Sequence, residues 1–491
     1  MNVYYSFENL KNNLDKIYIY KYPLKQIETS KLIEKTILNF IKDHKYSNEL
    51  NVIKPLLINI VSNYININNK LSEIKKYKNI NIDKNNSIIA ASILDNTIIN
   101  EDKLISLQKK IYNERKNIKK IINFLNINIL SAIYKNTVFS ENTLSKNYFY
   151  NKRYIKIYVN NLFPILLDNN KKNKNISNEM INLLAKDLSE KYINLNNNQI
   201  KSLANICNLY INRLFNNIEN NFIKRRFENC FISNSQNYYN RLIGFMLKDR
   251  SLTLNGFDHG GEKIFYKNFS YYENELDYAN NYFVSSTQYS NYLEKINKNK
   301  VKINIIKSKY NHFLFNNHFY YINKNQNIII LNSSIDGENT GNIYQQATDD
   351  INKVVLLLKI RETIKPKYNF KIKAHPKSRS NILKNKIFKK KEFSESSLSS
   401  LFKNNNIFIF DYLGTTLIEC LCAGKEIIFF DHGIYHYNLL FFNELSKIIH
   451  IIPIKYSEDK LNFEKKDLFY AIENPKSDLK KKHDFINKYF L

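Results

Sequence analysis

The stretch 406-NIFIFDYLGTTLIECLCAGKEIIFFD-431 decides the fold. Its opening residues, 406-NIFIFD-411, read as a strand; 415-TTLIECLCAG-424 reads as a helix, and 425-KEIIFFD-431 as a second strand. Neither strand alternates apolar with polar residues, so both are expected to be buried on two faces. Strand, glycine turn at Gly414, helix and strand make one unit of a parallel sheet. The same alternation runs upstream. Strand 327-NIIILNSS-334 is followed by the polar loop 335-IDGENTGN-342, a helix over 345–363 and strand 369-NFKIKAH-375. Residues 326–450 therefore read as a Rossmann-like doubly wound α/β domain, whose ligands belong beyond the carboxyl ends of the strands.

Further upstream the signals are sparser. An apolar run, 251-SLTLNG-256, follows a helix-like 236-QNYYNRLIGFMLKD-249, and 278-YANNYFVSST-287 reads as a strand before a short helix. Ile155–Val159 is also strand-like. Residues 1–150 are helix-rich, with Leu104, Leu107, Ile111, Ile118, Ile121 and Ile122 at helical spacings. A second helix is expected over 176–195, capped by Ser177, with Met180, Leu183, Leu184 and Leu188 facing inward. Residues 451–491 read as a C-terminal helical tail.

Glycine and histidine divide the chain. All nine glycines and eight of the nine histidines lie beyond residue 240. Glycine serves tight turns and histidine serves proton transfer, so the chemistry is expected there. The bulk numbers narrow the class. With 43% hydrophobic residues, 36 Tyr and 32 Phe in 491 residues, the chain has ample core material for several domains. It holds no apolar run long enough to span a bilayer. The start, MNVYYSFENLKNNLDK, lacks the apolar region of a signal peptide. Four scattered cysteines make no disulfide framework, and Cys420 and Cys422 alone make no zinc site. A reduced, cytoplasmic protein is expected. The net charge of +29 points to nucleic acid, an anionic membrane surface or phosphate-bearing substrates. Coding in an A/T-rich genome also supplies lysine without any ligand.

Polar clusters fall where the second-half strands end. Ser333 and Ser334 close one strand, with Gly337 and Gly341 beyond them. In 373-KAHPKSR-379, Lys373, His375, Lys377 and Arg379 crowd one turn, and Pro376 keeps His375 extended. Imidazole and guanidinium there suit a phosphate. In 411-DYLGTTLIE-419, Gly414 turns the chain and Thr415 and Thr416 open a helix. Orphan amides, the helix dipole and two hydroxyls make an anion site, with Glu419 one turn on in reach of a sugar hydroxyl. A plain N-cap with a solvated Glu419 is the competing reading. Earlier, 255-NGFDHGGEKIF-265 places His259 between Asp258 and Glu262, either of which can orient its imidazole, and Gly260 and Gly261 let a ligand approach. Here the competing reading is a glycine turn with an incidental histidine.

The order of these motifs, His259-Gly260, then His375-Pro376, then Asp411 with Thr415-Thr416, resembles GT-B-type transferases of bacterial surface polysaccharides. It is similar to CDP-glycerol glycerophosphotransferases, and in its last two motifs to sialyl- and Kdo-transferases that use CMP-sugars. The second glycine of His259-Gly260-Gly261 and the inserted Gly414 depart from the glycerophosphotransferase form. The resemblance covers 230–435 and implies two Rossmann-like domains facing a cleft, an acceptor domain over 151–325 and a nucleotide-donor domain over 326–450. It implies that His259, with Asp258 and Glu262, serves the acceptor. It also implies that His375 and the pair Thr415 and Thr416 hold the donor phosphates; from their place at the strand ends, Lys373, Lys377, Arg379, Ser333, Ser334, Gly414 and Glu419 are expected in the same donor site. The implied activity is transfer of a sugar or polyol phosphate from a nucleotide donor to a glycan or lipid-linked acceptor. No cofactor and no metal are expected, since no Asp-x-Asp occurs, and the expected location is the cytoplasm, either free or peripheral on the inner face of the plasma membrane. A nucleotide-sugar 2-epimerase has the same architecture. A basic nucleic-acid-binding protein is the third class, though the basic residues form no compact basic-aromatic motif.

Overall fold

The computed structural model describes residues 23–76, 136–138, 144, 148–149, 152, 154–156, 174–219, 229–232, 238–248, 253–258, 261–267, 276–297, 301–318, 327–333, 350–375, 388–433, 435–457, 460–476 and 478–491. The helix expected within 103–134 lies outside these residues, as do His259, Ser334, Lys377 and Arg379.

The protein is an α/β molecule with two parallel sheets. The first holds β1 (Asn136–Val138), β2 (Ile155–Lys156), β3 (Asn229–Ile232), β4 (Thr253–Phe257), β5 (Asn281–Val284) and β6 (Lys302–Ile305), in the order β2-β1-β3-β4-β5-β6. The second holds β7 (Ile328–Leu331), β8 (Phe370–Lys373), β9 (Ile407–Phe410), β10 (Glu426–Asp431) and β11 (His450–Pro453), in the order β11-β10-β9-β7-β8. Within each sheet the second strand lies on the far side of the first, and the later strands proceed the other way. The second sheet therefore has the doubly wound 2-1-3-4-5 order and the first extends it to 2-1-3-4-5-6, with one switch point each, at β7/β9 and at β1/β3.

The second sheet follows directly from its residues. Ile328, Ile330, Ile407, Ile409, Ile428 and Phe430 pack into one core; Ile329, Leu331, Phe408, Phe410, Ile427 and Phe429 pack into another. The period of two, apolar at every position, is what a sheet covered on both faces requires. Helix α8 (Asp350–Ile364) covers the first face, and α10 (Thr415–Cys422) packs on the second. The short α9 (Leu398–Leu401) leads into β9, and α11 (Leu439–Leu445) links β10 to β11.

The first sheet is buried under a helical layer. Helices α1 (Pro23–Asp43), α2 (Ser47–Lys76), α3 (Lys174–Ser189), α4 (Asn197–Glu219) and α5 (Tyr238–Lys248) share one core with Cys230, Ile232 and Leu254. The other face stacks Phe231, Phe257 and Phe283 against Tyr148 and Phe149. Buried Arg241 on α5 ties the layer together. It donates to the Asn51 and Val52 carbonyls of α2 at 2.6 and 3.1 Å and to Asp277 at 2.8 Å.

Several elements differ from the sequence expectation. Helix α3 starts at Lys174, so Ser177 is buried inside it and is not its cap. Met180, Leu184 and Leu188 are buried in it, but Leu183 is 38% exposed, because helical spacing turns it off the stripe the other three form. Strand β1 lies upstream of residue 151, in a stretch too short to show a period. The tail is not purely helical. Edge strand β11 and a hairpin, β12 (Lys455–Ser457) and β13 (Lys460–Asn462), precede α12 (Lys465–Glu473) and α13 (Leu479–Tyr489). Helix α6 (Thr287–Ile296) connects β5 to β6, and α7 (Lys309–His318) follows β6. Phe485, Ile486 and Phe490 of the last helical turns join Tyr282, Val284, Phe408 and Phe410 in one core, so the two halves share an interior.

Candidate active site

The switch point of the second sheet carries the densest polar geometry. Asp411 ends β9 across the crevice from β7. Its Oδ1 accepts the Ser333 amide N–H at 2.7 Å, and its Oδ2 accepts the Ser333 hydroxyl at 2.9 Å. One side chain thus ties two strand ends together. Burial pushes the Asp411 carboxyl above its ordinary range, while the two Ser333 donors and Lys353 pull it back. Leu331 pairs with Lys373 between β7 and β8, so Ser333 and His375 stand two residues beyond one register pair. Lys373 and His375 are half-buried. Lys373, His375, Ser333 and Asp411 therefore line one edge.

His432 occupies the next place along that edge, after β10. Its ring is buried, and Nδ1 lies 2.5 Å from the Tyr456 hydroxyl, with the two rings stacked. Burial, with Lys353 adding to it, lowers the imidazole to about 3, so it stays neutral. The hairpin residue Tyr456 shuts His432 into the domain. Asn332 Oδ1 and His432 Nε2 are buried with no hydrogen-bond partner among the described residues, an uncommon condition in a folded protein.

The first sheet contributes through the segment after β4. Asp258 is 1% exposed; its Oδ2 accepts the Gly261 amide and its Oδ1 accepts the Tyr289 hydroxyl at 3.2 Å. Gly261 has φ +81°, which a side chain would strain, although a Cβ would find room at 3.5 Å from Ile418. A 3-10 turn, Glu262–Phe265, follows. Glu262 Oε2 accepts the Thr415 amide at 3.1 Å and the Thr415 hydroxyl at 2.9 Å. The N-cap of α10 is Gly414, which has no side chain to offer, so a carboxylate from the other half of the chain caps the helix. Gly414 is needed there: a Cβ would lie 2.4 Å from the Tyr412 ring.

Further bonds lace the segment down. The Tyr266 hydroxyl donates to the Leu413 carbonyl at 2.7 Å. The Lys267 amide donates to the His436 carbonyl at 2.7 Å, and the Asn438 amide to the Phe265 carbonyl at 2.9 Å. Thr416 hydrogen-bonds the Tyr412 hydroxyl, whose pKa burial raises. Glu419, one turn into α10, has its carboxyl pushed up to about 7 by burial, near Tyr310 of α7.

No family model, curated protein or solved structure matches the chain.

Two groupings emerge from the residues singled out by sequence. Ser333, Lys373 and His375 share the carboxyl edge of the second sheet with Asp411. Glu262, Gly414 and Thr415 meet where the two halves touch, with Thr416 and Glu419 further along the same helix. Asp258 and Glu262 flank His259 in sequence, yet each carboxylate has its own task, the first in a turn and the second on α10. His259, Ser334, Lys377 and Arg379 lie outside the described residues. Tyr266, Tyr289, Tyr412 and Lys353 were not legible in sequence. With 36 tyrosines in the chain, no spacing distinguishes those that lock a site. Among the described residues no three His, Cys, Asp or Glu side chains gather as a metal site would need. The four cysteines are unpaired and buried.

Proposed function

We propose that the protein is a GT-B-type glycosyltransferase of surface-glycan assembly. It transfers a sugar or polyol phosphate from a CMP- or CDP-linked donor to a glycan or lipid-linked acceptor, on the cytoplasmic side of a membrane. One observation carries the reading. The switch-point crevice closed by Ser333 and Asp411 adjoins a helix end, Thr415, that already grips an anion, the Glu262 carboxylate. A crevice at a switch point is where doubly wound sheets bind nucleotides, and a helix N-terminus is where they hold phosphate.

In this reading the donor phosphates take the place of the Glu262 carboxylate on Thr415, with Lys373 and His375 meeting their outer oxygens. Ser334, Lys377 and Arg379 belong to the same donor shell by sequence. His259 takes the acceptor hydroxyl proton. The acceptor oxygen forms its bond to the anomeric carbon, or to phosphorus for a polyol phosphate. The bond to the nucleotide phosphate breaks, and the nucleotide leaves with the electron pair. Amides, hydroxyls and cations at the crevice meet that growing charge. Glu262, released from α10, stands three residues from His259 and can steady its imidazolium.

The test is thermal stabilisation by CMP-, CDP-, UDP- and GDP-linked donors, since a bound ligand raises the melting temperature with its concentration over Kd. A shift with one nucleotide class is expected. His375→Ala should abolish it, and His259→Ala should keep it while losing turnover. A failure of all four classes to shift the melting temperature contradicts the reading. Loss of the shift in His259→Ala alone reverses the roles of the two histidines. Product formed without any acceptor assigns an epimerase instead.

A further inference from the structure

At the far end of the segment that carries Glu262 lies a surface with a different character. Leu439 and Leu440, adjacent at the start of α11, are 68% and 80% exposed. They are not loose: Phe441 and Leu445 of the same helix are buried, and the Asn438 amide is bonded to Phe265. Exposed apolar residues scattered singly need no explanation, but two neighbours held out by a buried anchor form a wedge.

Beside the wedge sits unbalanced positive charge. Lys31 Nζ of α1 lies 2.6 Å from His436 Nε2, and the Lys267 amide is bonded to the His436 carbonyl. Lys31, Lys267 and His436 are all exposed, and among the described residues no carboxylate pairs with any of them. Partial burial and the two ammonium groups hold the His436 imidazole below its ordinary range. The Lys31 ammonium donates to the His436 imidazole, and among the described residues no acid neutralises Lys31 or Lys267.

We propose that this face, with Leu439 and Leu440 as the apolar wedge and Lys31 and Lys267, joined through His436, as the cationic rim, docks on an anionic lipid bilayer. Charge complementarity selects the occupant: uncompensated cations around adjacent leucines match acidic headgroups above an acyl interior. A net charge of +29 favours the same surface at longer range. No helix among the described residues is long and apolar enough to cross a membrane, so the contact is with the bilayer surface. The placement has a consequence for acceptor delivery. Segment 262–267 reaches Thr415 through Glu262 and the docking face through Lys267. A lipid-borne acceptor would arrive beside the candidate site. Docking itself stands whether or not the transferase reading does.

The experiment is co-sedimentation of the full chain with vesicles of phosphatidylglycerol and phosphatidylcholine, or of phosphatidylcholine alone, without nucleotide. The wild type should bind the anionic vesicles and not the neutral ones. Leu439→Ser with Leu440→Ser leaves the charge unchanged and should weaken binding roughly tenfold. Lys31→Gln with Lys267→Gln should weaken it roughly twenty-fivefold, about fivefold per lysine. Lys465→Gln with Lys466→Gln removes the same charge from exposed positions on α12 and should change binding less than twofold. Circular dichroism checks that each variant is folded. Equal loss in the α12 pair assigns the binding to diffuse charge and overturns the proposal. So does full binding by the leucine pair, or a wild type that ignores anionic vesicles. Donor thermal shifts measured without vesicles report on the transferase reading separately.

Discussion

Two aspartates end strands in the two sheets, and the difference between them organises the molecule. Asp258 follows β4 and Asp411 follows β9; both are buried, and both accept hydrogen bonds through each carboxylate oxygen. Asp258 closes its own turn through Gly261 and takes one bond from Tyr289, within a single loop-and-helix neighbourhood. Asp411 reaches across the switch point to Ser333, 78 residues away in sequence, and joins the two strand ends where a doubly wound sheet opens. The same residue at the same kind of position is a local brace in one sheet and a clasp across the switch point in the other. Topology, and not residue type, assigns the role.

Substitution separates the two. Asp411→Ala should cost the most, about 3 kcal/mol, because it strands the buried Ser333 amide and hydroxyl together. It should also abolish donor-induced stabilisation. Asp258→Ala should cost about 2 kcal/mol in urea denaturation while leaving that stabilisation in place. If Asp258→Ala abolishes it and Asp411→Ala does not, the comparison is inverted. The link between the halves is smaller. In a double-mutant cycle of Glu262→Ala and Thr415→Ala, a coupling of about 1 kcal/mol is expected, and additivity would mean that the capping bond contributes nothing.

A pH dependence is read as a small shift in melting temperature. The Glu419 carboxyl titrates at about 7 in the folded protein, against 4.5 ordinarily. The folded state therefore holds this proton more tightly than the unfolded chain. Its contribution to stability falls as pH rises from about 4.5 to about 7 and stays lower above that. Glu419→Gln escapes the loss. Its melting temperature relative to wild type should rise by about 2 °C between pH 5 and pH 8. A difference that does not change with pH would show that the carboxyl is not so perturbed.

The two sheets were not equally legible. Residues 406–431 carry apolar strands, a glycine turn and a helix in unbroken succession, so β9, α10 and β10 were readable with their order. The first sheet was harder: β2 falls in the strand-like run Ile155–Val159, but β1 spans three residues and shows no period. Its cover comes from helices far apart in sequence, such as α1 and α4. The strand-end clusters at 333, 373–375 and 411–416 were visible because parallel sheets place their ends on one edge. The Glu262 to Thr415 bond was not, since it spans 153 residues and no spacing encodes it. Sequence put Glu262 next to His259; the fold sends its side chain to the other half of the molecule.

The central claim is that a donor phosphate and Glu262 compete for the end of α10. Calorimetric titration of CMP and CDP onto wild type and Glu262→Gln tests it most directly. Removing the competing charge should tighten binding of the preferred nucleotide by roughly threefold to tenfold, with Thr415→Ala weakening it in the same assay. Binding unchanged or weakened in Glu262→Gln would contradict the account.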